Sequence, residues 1–313
     1  MNAQPPDNPT PDAGGPNEQG DPSPQTDHSG PLPQDVPQQT IPPFAPQRFL
    51  NDLWIDSAIR WSALIVVVIA AGYMVLFNLA DTTLGLAVIL LLAFGWISIN
   101  TISATIWRTL PHITELISHN SDAAEALLAP QLKRRPLVRW VRLMLYHRLA
   151  AIRHRQQRFH ESAVICQSLL GQNMGPARRQ RGALLLMLLE AQLQRGDLHG
   201  AYPALLELHT QPLSLAESLQ RLALQTRYEV LAGHDAAALA GVKQKLLLAE
   251  LMPAEHCGAM HAMLTTSAAR AGQADLADWL WRRTNLLCSP AQVHHLFNTP
   301  FATAIVAPPD LIG

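Results

Sequence analysis

Two long apolar runs, separated by one acidic residue, constrain this chain more than any other feature. The first run, 61–80, has 20 residues and the second, 82–107, has 26. An α-helix of 20 residues is about 30 Å long, which matches the hydrocarbon core of a bilayer. Asp81 is the only charged residue between Arg60 and Arg108. The sequence therefore predicts a hairpin of two membrane-spanning helices, because soluble domains rarely contain two such uncharged stretches in succession.

The rest of the chain divides into segments of unlike composition. Residues 1–47 contain 13 of the 24 prolines and six acidic residues but no Lys or Arg, a composition that predicts disorder. The chain after the hairpin is rich in Ala, Leu, Gln and Arg, so we expect an all-α fold in which an α-solenoid of helix pairs follows the hairpin. The predicted segments are a disordered Pro-rich tail (1–47), the hairpin (48–108, spans 61–80 and 82–107), a linker and leading helix (109–136), a repeat domain of about four helix pairs (137–297) and an apolar extended tail (298–313).

The predicted leading helix has a start signal of its own. Asp122 is followed three positions later by Glu125, which is the spacing of a capping box. Pro130 is expected to separate this helix from the basic helix that follows. We expect the leading helix to cover the apolar end of the helix stack.

Positive charge is concentrated after the second apolar run. No acidic residue occurs between Glu125 and Glu161, whereas the same interval contains nine Lys and Arg residues. Lys and Arg favour the cytoplasmic flanks of membrane helices, and Arg48 and Arg60 precede the first run while Arg108 follows the second. We therefore expect an integral protein of a bacterial inner or cytoplasmic membrane, with both termini in the cytoplasm.

Four arginines of this basic block are expected to contact lipid. A basic helix face next to a bilayer gains about 1 kcal/mol per Lys or Arg from anionic lipid. The same pattern is equally compatible with solvated arginines that only fix the topology. Nucleic acid is not an expected partner, because no aromatic residues are interleaved to stack on bases. The candidate lipid-contact residues are Arg135, Arg139, Arg142 and Arg153.

Short turn sequences recur along the second half of the chain. They begin at Gln157, Gly196, Gly233 and Gly272, at intervals of 39, 37 and 39 residues. In each, a residue that tolerates left-handed geometry closes one helix, and a small residue in the first turn of the next helix allows close packing. Because one such pair cannot bury its apolar face alone, we expect the pairs to stack.

This arrangement resembles the tetratricopeptide repeat over residues 137–290. The intervals exceed that family's 34 residues, and the third unit retains only Leu222, Gly233, Ala238 and Val242. A related helical-pair array or an irregular bundle stays open as an alternative. The matching residues are Tyr146, Leu149, Ala150, Phe159, Ser162, Cys166 and Leu169 in the first unit, Leu185, Leu188, Gly196, Leu198, Ala201, Leu205 and Pro212 in the second, and Leu264, Thr265, Gly272, Leu276, Ala277, Trp281 and Pro290 in the fourth.

The resemblance implies a protein or peptide partner. Tetratricopeptide-like arrays bind extended peptides or helices in a groove that the first helix of each pair lines. Carried over to this sequence, the groove residues are His147, Ala151, His154, Arg155, Leu186, Glu190, Gln194, Gln220 and Arg227.

The sequence contains no recognisable catalytic constellation. It lacks a phosphate-binding glycine loop and a nucleophile elbow. Its histidines and cysteines do not fall at metal-ligand spacing: His256 and His261, for example, would point about 140° apart around a helix. We therefore expect no enzyme activity, no metal and no cofactor.

These observations predict a membrane-anchored scaffold or adaptor whose repeat groove binds a cytoplasmic partner. Two alternatives stay open: a membrane enzyme whose site has no sequence signature, and a structural hairpin that binds anionic lipid through its basic helix. The apolar tail also has three interpretations, since it can pack on the repeats in cis, serve as a ligand for another protein, or be disordered.

Overall fold

A computed structural model describes residues 41–76, 83–134, 138–289 and 291–292. Within these ranges every regular element is a helix and no strand occurs, which confirms the all-α class for the described part of the chain. The predictions for residues 1–40, for the turn at Asp81 and for the apolar tail from residue 298 fall outside the described residues.

The helices follow one another with short connections. A 3-10 helix, Gly175–Gln180, precedes α6. In chain order the α-helices are α1 (Pro46–Leu76), α2 (Thr83–His119), α3 (Ser121–Lys133), α4 (Arg139–Arg155), α5 (Phe159–Leu170), α6 (Arg181–Gln194), α7 (Leu198–Leu208), α8 (Leu215–Leu231), α9 (Asp235–Leu239), α10 (Val242–Ala249), α11 (Ala254–Arg270) and α12 (Ala274–Leu287).

Helix α1 has two parts with different surroundings. Its first turns bury Phe49 and Leu53, and the ring of Phe49 lies 4.6 Å from that of Tyr146 in α4. From Trp61 onward the large apolar side chains are exposed; Ile69, for example, is 65% exposed. The segment Pro46–Tyr73 is long and apolar enough to cross a membrane, and it is the one such segment found among the described residues.

The chain before α1 is packed rather than free from residue 41. The ring of Phe44 lies 5.7 Å from that of Tyr146. The backbone N–H of Ile41 donates to Glu125 at 2.9 Å, and its carbonyl accepts from Arg153 at 3.0 Å. The disordered tail was predicted to extend to residue 47. The structure places the start of the ordered chain earlier, because Ile41 and Phe44 contact residues of α3 and α4.

Helix α2 continues well beyond its apolar run. It passes through Pro111 without ending and stops only at His119, so the linker predicted from residue 109 is helical. This extension has one apolar face, because buried residues recur every three or four positions. Packing of that face against α3 and α4 explains why a proline did not end the helix. The buried residues are Ile106, Leu110, Ile113 and Ile117.

Helix α3 starts and ends at different residues from those predicted. Its N-cap is Asn120, whose side-chain oxygen accepts from the N–H groups of Asp122 and Ala123, so Asp122 is not the cap. Pro130 lies inside the helix, which continues to Lys133. Glu125 does not complete a capping box, because its carboxylate is drawn to Arg153 instead.

The four predicted turns share one backbone geometry. Gln157, Gly196, Gly233 and Gly272 all have positive φ, of 60°, 72°, 72° and 72°. In each turn the next amide donates to the carbonyl four residues before that position, at 2.8 or 2.9 Å. The left-handed turns predicted from the sequence are therefore confirmed. Small residues five positions later are buried in every case: Ser162, Ala201, Ala238 and Ala277.

Helices α4–α12 pack in a regular order. The helices joined by the four turns pack on each other, and α4 also contacts α6, α6 contacts α8, and α8 contacts α11. The third pair departs from this order, because its second helix is broken into α9 and α10 at Gly241, which has a left-handed φ of 64°. This third unit is also the one in which the sequence matches the tetratricopeptide pattern at the fewest positions.

Candidate functional site

The nine predicted groove residues lie on three helices that contact one another in sequence. Helix α4 carries the residues from His147 to Arg155, α6 those from Leu186 to Gln194, and α8 carries Gln220 and Arg227. Since α6 contacts both α4 and α8, residues of three successive helix pairs come close together.

Three of these residues form a charged cluster across the helices. Nε2 of His154 lies 3.6 Å from a carboxylate oxygen of Glu190, which joins α4 to α6. The charge of Glu190 also acts on both His154 and Arg227, which joins α6 to α8. Glu190 is the most exposed of the three, whereas Arg227 is only 9% exposed.

Burial dominates the electrostatics of this cluster. Burial lowers the pKa of His154, Glu190 opposes that shift, and Arg155 and Arg227 add to it. Burial also lowers the pKa of Arg227 to about 10, again against the influence of Glu190. At neutral pH the cluster therefore contains a neutral imidazole beside the carboxylate of Glu190, with the buried guanidinium of Arg227 close enough to influence His154.

The remaining groove candidates do not all reach a surface. His147 and Leu186 are 5% and 2% exposed, so they belong to the core and cannot line an open groove. Arg155 and Gln220 are exposed, while Ala151 and Gln194 are half-buried. Arg227 is buried as well, at 9% exposure, so three of the nine predicted groove side chains are enclosed by the fold although the three helices lie side by side.

Two of the four predicted lipid-contact arginines are buried in ion pairs, which corrects that prediction. Arg142 is 4% exposed and pairs with Asp52 at 3.0 Å and with Asp56. Arg153 is 1% exposed and pairs with Glu125 at 2.7 Å and with Glu161 at 3.2 Å. Arg139 is half-buried and donates to Gln172 at 3.1 Å, and Arg135 lies outside the described residues.

The positions of the acidic partners explain why the sequence pattern wrongly predicted lipid contact for Arg142 and Arg153. The stretch around these arginines contains no acidic residue, so they resembled a free basic face. Three of the four partners come from elements distant in sequence: Asp52 and Asp56 lie on α1, about one turn apart, and Glu125 lies on α3. Only Glu161, on α5, is close to Arg153 in the chain. Two acidic residues spaced i and i+4 on a largely apolar helix were the available signal for a buried basic partner.

Neither metal-site geometry among the described residues nor similarity to known proteins points to a function. Among the described residues, no group of three or more His, Cys, Asp and Glu side chains is arranged to hold a metal ion. Comparison of the chain with protein-family models, with curated proteins and with solved structures gave no significant match.

Proposed function

We propose that this protein is a membrane-anchored scaffold that binds a protein partner through a tetratricopeptide-like array. One observation carries the proposal: His154, Glu190 and Arg227, from three successive helix pairs, act on one another across α4, α6 and α8. A surface composed of several pairs is what a peptide-binding array requires, because an extended ligand spans more than one repeat.

Exposure of apolar residues supports the membrane anchor. The core helix of a soluble protein is mostly buried, whereas the most apolar window of α1 is only 12% buried. Trp61 at 66% and Tyr73 at 55% exposure flank this apolar stretch, as interfacial aromatics do in membrane helices. We propose that α1 and the apolar half of α2 form two spans.

Recurrent turn geometry supports the array. Four turns at nearly equal intervals share positive φ, the same backbone hydrogen bond and a buried small residue five positions later. The contacts of α4 with α6, α6 with α8 and α8 with α11 are those of stacked pairs. We assign the first helix of each pair to the surface that binds the partner.

The anchor and the array are joined by a buried contact. Phe49 and Leu53 of α1 and Ile113 of α2 belong to the same apolar core as α4 to α8. The ion pairs of Arg142 with Asp52 and Asp56 add a directional link. A partner bound to the array would therefore be held at a fixed position near the membrane, which favours a scaffold over an anchor with a loose tether.

Site-specific photocrosslinking in native membranes tests the proposal. A photoreactive residue at Gln220, which is exposed on α8, should form an adduct with one partner polypeptide, whereas the same residue at Gln167, exposed on α5, should not. Reversing the exposed charge at the end of α4 with Arg155→Glu should reduce the Gln220 adduct, because an extended partner would contact both helices. Equal adducts from both positions, or none from either, would contradict the proposal.

A further inference from the structure

A cleft of about 470 Å³ lies between the second half of α2 and helix α4. Trp107 is 47% exposed, and its ring lies 4.7 Å from that of Trp140. Leu110 and Met144 are 3% and 7% exposed and form an apolar wall. The lining residues are Trp107, Leu110, Pro111, Thr114, Glu115, Met144 and Arg148.

Arg148 differs from the other enclosed arginines of α4. Its Nε atom is buried and has no hydrogen-bond partner among the described residues. Burial lowers the pKa of Arg148, and no charge in the described part of the chain opposes that shift. Arg142 and Arg153, by contrast, each have two carboxylate partners. A desolvated guanidinium without a counter-ion is unfavourable, so an anion that enters the cleft would be stabilised there.

The orientation of α4 directs Arg148 towards the end of the apolar run. Trp140 is near the N-terminus of α4 and contacts Trp107, the last residue of that run. Side chains on a helix tilt towards its N-terminus, so the side chain of Arg148 leans towards Trp107. Under the two-span anchor proposed above, on which this inference rests, Trp107 lies at the membrane interface and the cleft faces the headgroup layer.

A carboxylate shares the cleft with this guanidinium. Glu115 is exposed, and it is not within ion-pair distance of Arg148. The residues from Trp107 to Glu115 span about 12 Å of helix, which leaves space between the apolar wall and the acidic rim. The cleft therefore offers an apolar wall, a partly desolvated cation and a solvated anion.

We infer that this cleft binds a phospholipid with an amine-bearing headgroup. The lipid phosphate contacts Arg148, the headgroup ammonium lies near Glu115, and the glycerol and upper acyl chain contact Trp107 and Leu110. Phosphatidylethanolamine has this combination of charges. Phosphatidylglycerol has the same phosphate but neutral hydroxyl groups in place of the ammonium, so it offers no cation to the carboxylate of Glu115 and should bind more weakly.

Lipid binding to the purified full chain tests this assignment. The protein is delipidated in a non-ionic detergent, phosphatidylethanolamine or phosphatidylglycerol is added back, and bound lipid is counted by native mass spectrometry. The unsubstituted protein should bind phosphatidylethanolamine at least five-fold more tightly. Arg148→Gln should weaken binding of both lipids about ten-fold, and Glu115→Gln should remove the preference by weakening phosphatidylethanolamine alone. Arg195→Gln, at an exposed position just after α6 and outside the cleft, should leave both affinities unchanged.

The outcomes separate this inference from the proposed scaffold. Equal affinities for the two lipids, or unchanged binding in Arg148→Gln, overturn the lipid assignment even when the protein resists alkaline extraction from membranes. Release of the protein by alkaline extraction would instead overturn the anchor itself. Arg148→Lys, which keeps the charge, guards against a folding defect, because its lipid affinity should lie between those of the unsubstituted protein and Arg148→Gln.

Discussion

Arg153 of α4 donates hydrogen bonds of 2.7 and 3.0 Å to the two carboxylate oxygens of Glu125 in α3, while only 1% of the arginine side chain is exposed. The same guanidinium donates to Gln156 and to the carbonyl of Ile41. Although burial alone would raise the pKa of Glu125, the hydrogen bonds from Arg153, Gln156 and Ile41 lower it below its usual value. Glu125 is therefore a carboxylate in the folded protein at neutral pH, opposite the guanidinium of Arg153.

Removing one partner of this pair should be more harmful than removing both. Arg153→Leu leaves Glu125 buried without its counter-ion, so we expect a loss of about 3–5 kcal/mol. The double variant with Glu125→Leu should recover most of that loss, because apolar side chains can replace a buried pair. Urea unfolding of the four proteins in detergent micelles gives the coupling free energy. Additive losses in the double variant would argue against a direct pair.

The close approach at the second turn should not tolerate a long side chain. Ala201 is 0% exposed, and Ala201→Arg would force a charge into the contact between α6 and α7. An unpaired buried charge costs several kcal/mol, comparable with a domain stability of about 5–15 kcal/mol, so we expect the array to unfold. His199→Arg, at an exposed position two residues earlier, is the matched control. Thermal melts of the full chain should separate the two variants clearly.

The first turn carries strain that the other three avoid. Gln157 has a φ of 60°, a left-handed conformation in which the corresponding positions have glycine. A side chain in that region costs about 1 kcal/mol or more, so Gln157→Gly should stabilise the protein by up to about 1 kcal/mol. The reciprocal change, Gly196→Gln, should destabilise it by a similar amount. A loss of stability in both variants would show that the Gln157 side chain has a compensating role.

His147 should make the folded protein sensitive to acid. Burial lowers its pKa to about 4, with a further contribution from Arg148, whereas the unfolded chain has the ordinary value near 6.5. The unfolded state therefore takes up the proton first, and up to about 3 kcal/mol of stability is lost as pH falls from 6.5 to 4. His147→Leu should reduce the difference in melting temperature between pH 7 and pH 4.5. His160→Leu, at an exposed position, should leave that difference unchanged.

Labelling with an impermeant maleimide tests the predicted topology. In intact cells, Asp81→Cys should be labelled from outside, whereas Asp7→Cys and His160→Cys should be protected. The native cysteines do not interfere, because burial raises the pKa of all three, that of Cys166 to about 12, and only the thiolate reacts. Labelling of His160→Cys from outside would reverse the proposed orientation.

Local sequence signals predicted the all-α class and the left-handed turns of the described chain. Positive φ at Gly196, Gly233 and Gly272 follows from the freedom of glycine, and the intervals between turns located even Gln157. Signals that compete with tertiary packing failed. Pro130 was expected to separate the leading helix from the basic helix, but it lies within α3, whose apolar face is buried against neighbouring helices.

The candidate site was predictable only in part, because burial depends on distant residues. The alignment to the tetratricopeptide pattern predicted that His154, Glu190 and Arg227 lie on neighbouring helices, because the position of a residue along its helix depends on local sequence. The burial of Arg142 and Arg153 could not be predicted locally, because Asp52, Asp56 and Glu125 lie 28 to 90 residues earlier in the chain and only Glu161 is close to Arg153 in sequence. No window of the basic block contains that information.

The ion pair between Asp52 and Arg142 also sets an order of events during synthesis. Asp52 leaves the ribosome 90 residues before Arg142. At about 5–20 residues per second, that interval is on the order of 5–20 s. Both apolar runs are complete within it, so under the proposed anchor the hairpin enters the bilayer before the first helix pair exists. Helix α4 would then fold against an α1 that the membrane already holds, and the proposed hairpin would act as a template for the nascent array as well as its anchor.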